Sequence, residues 1–447
     1  MKKSKLNLLI AGVMLLTGCS YLENIETPDI PIIMDEPWEW TQAPTEEPTT
    51  VCEPTTLAPT EPQTTVEETT QNPADRYDLT AFEGEYYYYY NLLSESQKVI
   101  YCQMLETVME KQHQFTPAII IVKDQLVEVR DALMCDHPEI FWYDGDVKYS
   151  FEQGSYKVSG VELTYNDLLE RSDIYTSGIE QIRDSVLSNI EGLDIYAREK
   201  YIHDYLAYNV DYEENRHDQN IYSALIEGRS VCSGYSKAFQ YLCQAAQIPC
   251  YLCNGVGYGS EEDVEGGLHM WNVVYMGGVY SNVDITWDDN YFGASSDVNY
   301  VSYNYYNVSD SVLSADHERT GTGLKMAACT SDDIDYESLY GRPWQVDALM
   351  FMGVPLENIV YDNEEYNRAV YNAMISVGKG EGVVYLGIVG RELNDSLELY
   401  FTDAVNHRDL FDAWNSALGG VNKYYTGGYE INIGDDYYYY VLEFFTE

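Results

Sequence analysis

Three side chains of the kinds used in activated-thiol chemistry stand in well-marked settings: Cys232 in SVCSGYSKAF, His269 in GGLHMWNVVY and Asp284 in VYSNVDITWDD. A thiolate attacks a carbonyl, an imidazole carries protons to and from the reacting groups, and a carboxylate holds the imidazole in one tautomer and orientation. Taken singly, a buried histidine and a helix-capping aspartate are ordinary structural residues. All three in this order, with the local patterns that follow, point to a Cys-His-Asp triad.

The neighbouring sequence predicts how each group is held. After SVCSG an amphipathic run over 235–247 places Ala238, Phe239, Leu242 and Ala245 on one face, so Cys232 falls at or just before a helix start. The partial positive charge and free N–H groups of a helix N-terminus favour a thiolate and can hold an oxyanion. A strand over 248–256 follows, then a Gly- and Glu-rich loop over 257–267, then two strands joined through Gly277-Gly278, a strong hairpin signal. In a two-residue loop Met276 pairs with Val279; counting outward, Val273 faces Asn282 and Trp271 faces Asp284. His269 then lies diagonally from Asp284 on the same face, about 7–8 Å away at the backbone and within side-chain reach.

Composition narrows the class. The chain has 25 basic and 74 acidic residues among 447, a formal net charge of −49. Such a surface repels phosphate backbones, which excludes nucleic acid as a partner. Nine cysteines are scattered through a long chain, and no disulfide framework is inferred. Cys250 and Cys253 form a CxxC with neither a second CxxC nor a nearby histidine pair. They read as buried strand residues, not a zinc site, and no metal or cofactor is expected.

The N-terminus reads as a leader. Lys2, Lys3 and Lys5 precede an apolar stretch over 6–16, and Leu16-Thr17-Gly18-Cys19 resembles a bacterial lipoprotein box, with Cys19 the residue to be acylated. The expectation is an extracytoplasmic protein held to the cell membrane by that lipid alone, with residues 1–18 as signal peptide. Residues 19–76, rich in Thr, Pro and Glu from 43 to 74, read as an extended acidic tether. Trp38 and Trp40 within it are a stray apolar pair by default. A small α+β domain is expected over 77–170, with a capping box at Ser94–Gln97, helical spacing at Ile100, Met104 and Val108, a helix over 122–134 and a strand pair between 147 and 163. Helices over 177–189 and 197–208 open a catalytic domain, 171–330. A further α+β domain, 331–447, is expected to hold helices over 364–376 and 410–417, a strand over 382–389 and two final strands. The tyrosine runs at 86–90 and 437–440 read as half-exposed strands.

From YIHDYLAYNVDY at Tyr201 through VCSGYS and HMWNVV to VDITWDD, the chain resembles the transglutaminase-like superfamily, whose core is papain-like. It is most similar to such domains in lipoproteins and surface proteins of Gram-positive anaerobes. The resemblance implies an α+β fold in which the cysteine helix packs on an antiparallel sheet, with Cys232 as nucleophile, His269 as base and Asp284 completing the triad. The DHPEIFW segment, 136–142, resembles the domain that commonly precedes this core. For a second oxyanion donor, Tyr222 is the candidate. The implied activity is acyl transfer on the amide or peptide bonds of a protein or peptide substrate, with the cell wall or surface as its expected setting, ended by water (protease or amidase) or by a lysine amine (cross-linking). The competing reading is a non-catalytic surface module that uses the same fold to bind.

Overall fold

In a computed structural model the described residues are 76–259, 266–289, 301–320, 325–377, 381–402, 424–434 and 436–446. The leader, Cys19, the tether with Trp38 and Trp40, and the helix expected over 410–417 lie outside them. Asn72–Glu447 make one compact unit. Among the described residues no helix is long and apolar enough to cross a membrane.

The chain enters through α1 (Tyr88–Leu92) and α2 (Glu95–Met109). Ser94 caps α2 in the expected box, its Oγ accepting from the Gln97 N–H while Gln97 Oε1 accepts from the Ser94 N–H. Next come α3 (Lys123–Asp136) and a three-stranded antiparallel sheet, ordered β1 (Gln114–Phe115), β3 (Val158–Leu163), β2 (Val147–Phe151). Helices α4 (Ser172–Asn189) and α5 (Ile195–Asn209) lead to a short parallel pair, β4 (Asp211–Tyr212) with β5 (Arg229–Ser230). The core proper is α6 (Cys232–Ala245) packed on a five-stranded antiparallel sheet. Its order is β10 (His317–Arg319), β6 (Cys250–Gly257), β7 (Gly267–Met276), β8 (Val279–Val283), β9 (Tyr306–Val308). This is the α+β, papain-like arrangement that the resemblance implies. A four-stranded sheet ends the chain, ordered β11 (Ile359–Val360), β12 (Glu381–Val389), β14 (Tyr437–Thr446), β13 (Tyr424–Gly434), with helices α7 (Ile285–Asp288), α8 (Asn363–Val377) and α9 (Arg391–Thr402) elsewhere in the order.

The hairpin behaves as the two glycines dictate. Gly277 and Gly278 have φ of 59° and 87°, the positive pair a two-residue turn of this kind requires. Met276 pairs with Val279 and Val273 with Asn282, but the ladder ends at Asn272 and Val283, so Asp284 does not pair with Trp271 as expected: its carboxylate caps the next helix instead. The α6 face is buried at Ala238, Phe239 and Leu242, whereas Ala245 is only half covered and Cys243 takes its place.

Both tyrosine runs depart from the half-exposed strands expected. Tyr88–Tyr90 belong to α1, because the buried Asp136 carboxylate accepts the N–H groups of Tyr89 (3.1 Å) and Tyr90 (2.7 Å) and so caps the helix from another element. Burial pushes the Asp136 carboxyl up, to about 7, against the pull of His137 and those N–H groups. Tyr437–Tyr440 do lie in a strand, but β14 is a central strand and Tyr438, Tyr439 and Tyr440 are buried. The tyrosine hydroxyls stitch elements together: Tyr89 donates to the Leu252 carbonyl, Tyr251 to the Glu85 carbonyl and Tyr440 to Asn394 Oδ1, each at 2.5 Å. The N-terminal segment is thereby bonded to β6.

All seven described cysteines are free, and Cys250 and Cys253 are buried on β6.

Gly255 pairs with His269 on one side and Arg319 on the other. A Cβ there would collide with the Glu318 carbonyl and the Trp271 ring. Gly255→Ala should therefore lower the urea midpoint of unfolding by the equivalent of about 1–3 kcal/mol with an unchanged slope. An unaltered midpoint would show that β6 and β10 can separate there at no cost.

Candidate active site

Cys232 is the first residue of α6, with Val231 as the extended N-cap. The approach to the helix is pinned by carbonyls of the preceding loop. Ser230 Oγ donates to Asp218 O (2.5 Å), while Ser233 Oγ and Lys237 Nζ both donate to Gln219 O (3.1 and 2.8 Å). The helix is tied to the histidine strand as well: Ser236 Oγ donates to Met270 O, and Asn272 Nδ2 donates to Ser236 O, both at 2.9 Å. These two bonds fix the spacing between the helix start and His269.

His269 Nε2 lies 2.5 Å from Asp284 Oδ2. That leaves Nδ1 clear of the carboxylate, and Cys232 lies close enough to help raise the pKa of this imidazole. The ring stacks on Trp271 at 6.0 Å and lies 5.6 Å from Trp287, so two indoles restrict its rotation. Asp284 is the N-cap of α7: its Oδ1 accepts from the N–H groups of Thr286 (3.0 Å) and Trp287 (3.4 Å). Its side chain is fully buried.

The electrostatics follow from that burial. For His269 burial opposes the charged ring, but the Asp284 charge and hydrogen bond, together with Cys232, outweigh it and raise the pKa to about 10. Burial likewise opposes the Asp284 carboxylate, and the two histidines beside it hold it well below the usual carboxylate range. The ring is thus an imidazolium at neutral pH, the form that pairs with a thiolate and has a proton to give.

A residue that sequence reasoning missed completes the picture. His317 on β10 brings its Nε2 to 3.0 Å from the same Asp284 Oδ2, and its Nδ1 to 2.6 Å from Asp316 Oδ1. It follows Asp284 by 33 residues and reaches it only because edge strand β10 pairs with β6, His317 opposite Gly257. The one local signal was an Asp-His pair opening a short extended stretch. His269, Asp284 and His317 have donor atoms within 4.8 Å of one another, a spacing that invites a metal. Yet two ligands on a tetrahedral zinc at about 2.0–2.1 Å lie roughly 3.3 Å apart, and the 2.5 Å between His269 and Asp284 is the separation of a hydrogen bond.

Tyr222, the candidate second oxyanion donor, is held in an aromatic cluster. Its ring is buried between Phe141 and Tyr175, and burial, then the Glu227 charge, push its hydroxyl well above the ordinary value. For Tyr212, burial and then the charge of Cys232 raise the hydroxyl to about 12.

A model of the transglutaminase-like superfamily matches residues 185–285, which takes in Cys232, His269 and Asp284 and stops short of His317. Kyphoscoliosis peptidase from Homo sapiens is 25% identical over 156 residues, 31% of this chain and 23% of the human protein. The chain thus spans under a quarter of that relative's length. Among solved structures, a candidate cysteine protease from Cytophaga hutchinsonii is 14% identical, with 32% of this chain and 61% of that one covered at a TM-score of 0.21. A structure described as a TGase is 14% identical over 36% of this chain and 47% of its own, at a TM-score of 0.22.

The shifts fix the sign of the pH dependence. His269 at about 10, and His203 at about 9 between Asp204 and Asp288, both lie above the ordinary 6.5, so their ion pairs stabilise fully below pH 6.5 and are lost through pH 9–10. Asp284, shifted the other way, contributes above its ordinary 3.8 and loses that on acidification. Urea midpoints should fall as pH rises from 7 to 10, and fall less steeply in Asp284→Asn. Equal slopes in the two proteins would contradict the coupling.

Proposed function

This chain carries a transglutaminase-like domain, and on that premise we propose that it is a thiol enzyme acting on amide or peptide bonds of proteins, with Cys232 as nucleophile, His269 as proton carrier and Asp284 orienting the ring. The observation that supports this is the 2.5 Å bond between His269 and Asp284, together with a cysteine at a helix start whose charge helps raise the His269 pKa.

The Cys232 thiolate adds to the carbonyl carbon, and the displaced electron pair settles on oxygen, facing the Cys232 and Ser233 N–H groups at the α6 start; the next two N–H groups, of Gly234 and Tyr235, are already given to the Val231 carbonyl. Collapse of the adduct breaks the C–N bond as His269 gives its Nδ1 proton to the departing nitrogen. A thioester on Cys232 and a neutral ring remain. Water or a primary amine then attacks the thioester; His269 takes the proton, and Cys232 leaves as thiolate. In this reading residues 171–330 are the catalytic domain, flanked by 77–170 and 331–447. The lipoprotein-like box at Cys19 supports an enzyme anchored outside the cytoplasm, working on substrates at the surface.

The test is mass spectrometry of a peptide library incubated with the full-length chain and a primary-amine probe, beside Cys232→Ala. A product that depends on Cys232 and falls about a thousandfold or more in the variant is expected. Amine incorporation identifies a cross-linking enzyme, and cleavage or deamidation without incorporation identifies a hydrolase. No Cys232-dependent product from folded protein would overturn the enzymatic reading in favour of a binding module.

A further inference from the structure

We propose that His317 is a positioning residue of this site: a second imidazolium that shares the Asp284 carboxylate with His269, holding its orientation and dividing its charge. The proposal rests on the reading of Cys232, His269 and Asp284 given above. Its basis is geometric. Asp284 Oδ2 faces both Nε2 atoms, at 2.5 Å and 3.0 Å, while Oδ1 is committed to the α7 N–H groups. Both carboxyl oxygens are therefore held from three elements, β7, β10 and α7, and a rotation of the carboxylate would break bonds to all of them.

His317 is itself over-determined. An ionised carboxylate can only accept, and carboxylates face both ring nitrogens, so both nitrogens donate and the ring carries a charge. The side chain is fully buried, with Trp287 at 4.3 Å and Trp271, Tyr305 and His269 each at 5.3 Å, centroid to centroid. Asp316, its other partner, accepts from the Tyr305 hydroxyl at 2.6 Å through Oδ2. Tyr305 returns to the site, its carbonyl accepting the Asp284 N–H at 3.1 Å. The charged groups facing His317 are thus Asp284 from the start of α7, His269 from β7 and Asp316 beside it, and β6 presents only Gly257 opposite.

A charge so placed has a consequence that packing lacks. Burial works against the His317 cation, Asp284 and Asp316 sustain it, and His269 opposes it. The opposition is mutual, so His317 restrains the pull of Asp284 on His269. Removing the charge while keeping a donor should make the His269 imidazolium harder to deprotonate. Removing the donor as well should loosen the carboxylate.

The experiment is the pH profile of Cys232 alkylation by iodoacetamide, read by peptide mass spectrometry on the full-length chain. In the wild type Cys232 should outpace Cys243 and Cys250 at neutral pH, with an alkaline inflection where the imidazolium is lost. If it does not, the reading of the site fails before any variant is made. His317→Gln should keep the neutral-pH rate within about threefold and move the alkaline inflection up by roughly one unit, the order expected on removing a charge about 5 Å away. His317→Phe should slow alkylation at pH 7 on the order of tenfold, the scale for losing a group that orients another site residue. Folded variants that both keep the wild-type rate and inflection would overturn the proposal and leave His317 a packing residue. If the phenylalanine variant does not fold, the inflection of the glutamine variant decides alone.

Discussion

Everything at the site depends on one buried carboxylate. Taking Asp284 out of water is costly, and it stays ionised because four donors converge on it: two α7 backbone N–H groups and two imidazoles. Each donor comes with a constraint. The N–H groups make Asp284 the start of α7, the His269 bond fixes the face of β7, and the His317 bond holds edge strand β10 against β6. The charge that raises His269 is the same one that ties these elements together, so the electrostatics of the thiol partner and the closure of the sheet are inseparable.

The surroundings repeat the device. One turn along α7, Asp288 lies 3.2 Å from His203 Nε2, and Asp204 lies 3.2 Å from the opposite ring nitrogen. Asp204 is in turn bonded by Lys200 and the Tyr303 hydroxyl, both at 2.6 Å. A second buried imidazolium between two carboxylates thus locks α5 to α7. The short helix that Asp284 opens is held at both ends, which is why a four-residue helix can serve as a rigid mount.

What could be read from the sequence was what local rules decide. Two glycines set the hairpin, and the hairpin set which residues of β7 and β8 share a face; the apolar spacing after SVCSG put Cys232 at a helix start. His317 was not legible, because its place depends on an edge pairing that no local pattern encodes. The tyrosine runs misled for the same reason. Strand propensity suits Tyr88–Tyr90, but a carboxylate 46 residues further on captures their N–H groups and makes a helix, and whether β14 is central or at an edge is settled by strands that pair from elsewhere in the chain. The burial of Tyr222 was not legible either, because the aromatic neighbours that cover it come from 141 and 175. The transglutaminase-like segment was recognisable from its motifs alone, since it carries its own strands, turns and helix start.

The central claim is that Asp284 stands between two protonated imidazoles. It is tested most directly by the ¹⁵N chemical shifts of the His269 and His317 ring nitrogens at pH 7, each ring assigned by its loss in a His→Gln variant. Both nitrogens of both rings should show the shifts of N–H groups. A neutral ring at either position, with one nitrogen resonating as an unprotonated imidazole nitrogen, would contradict the account.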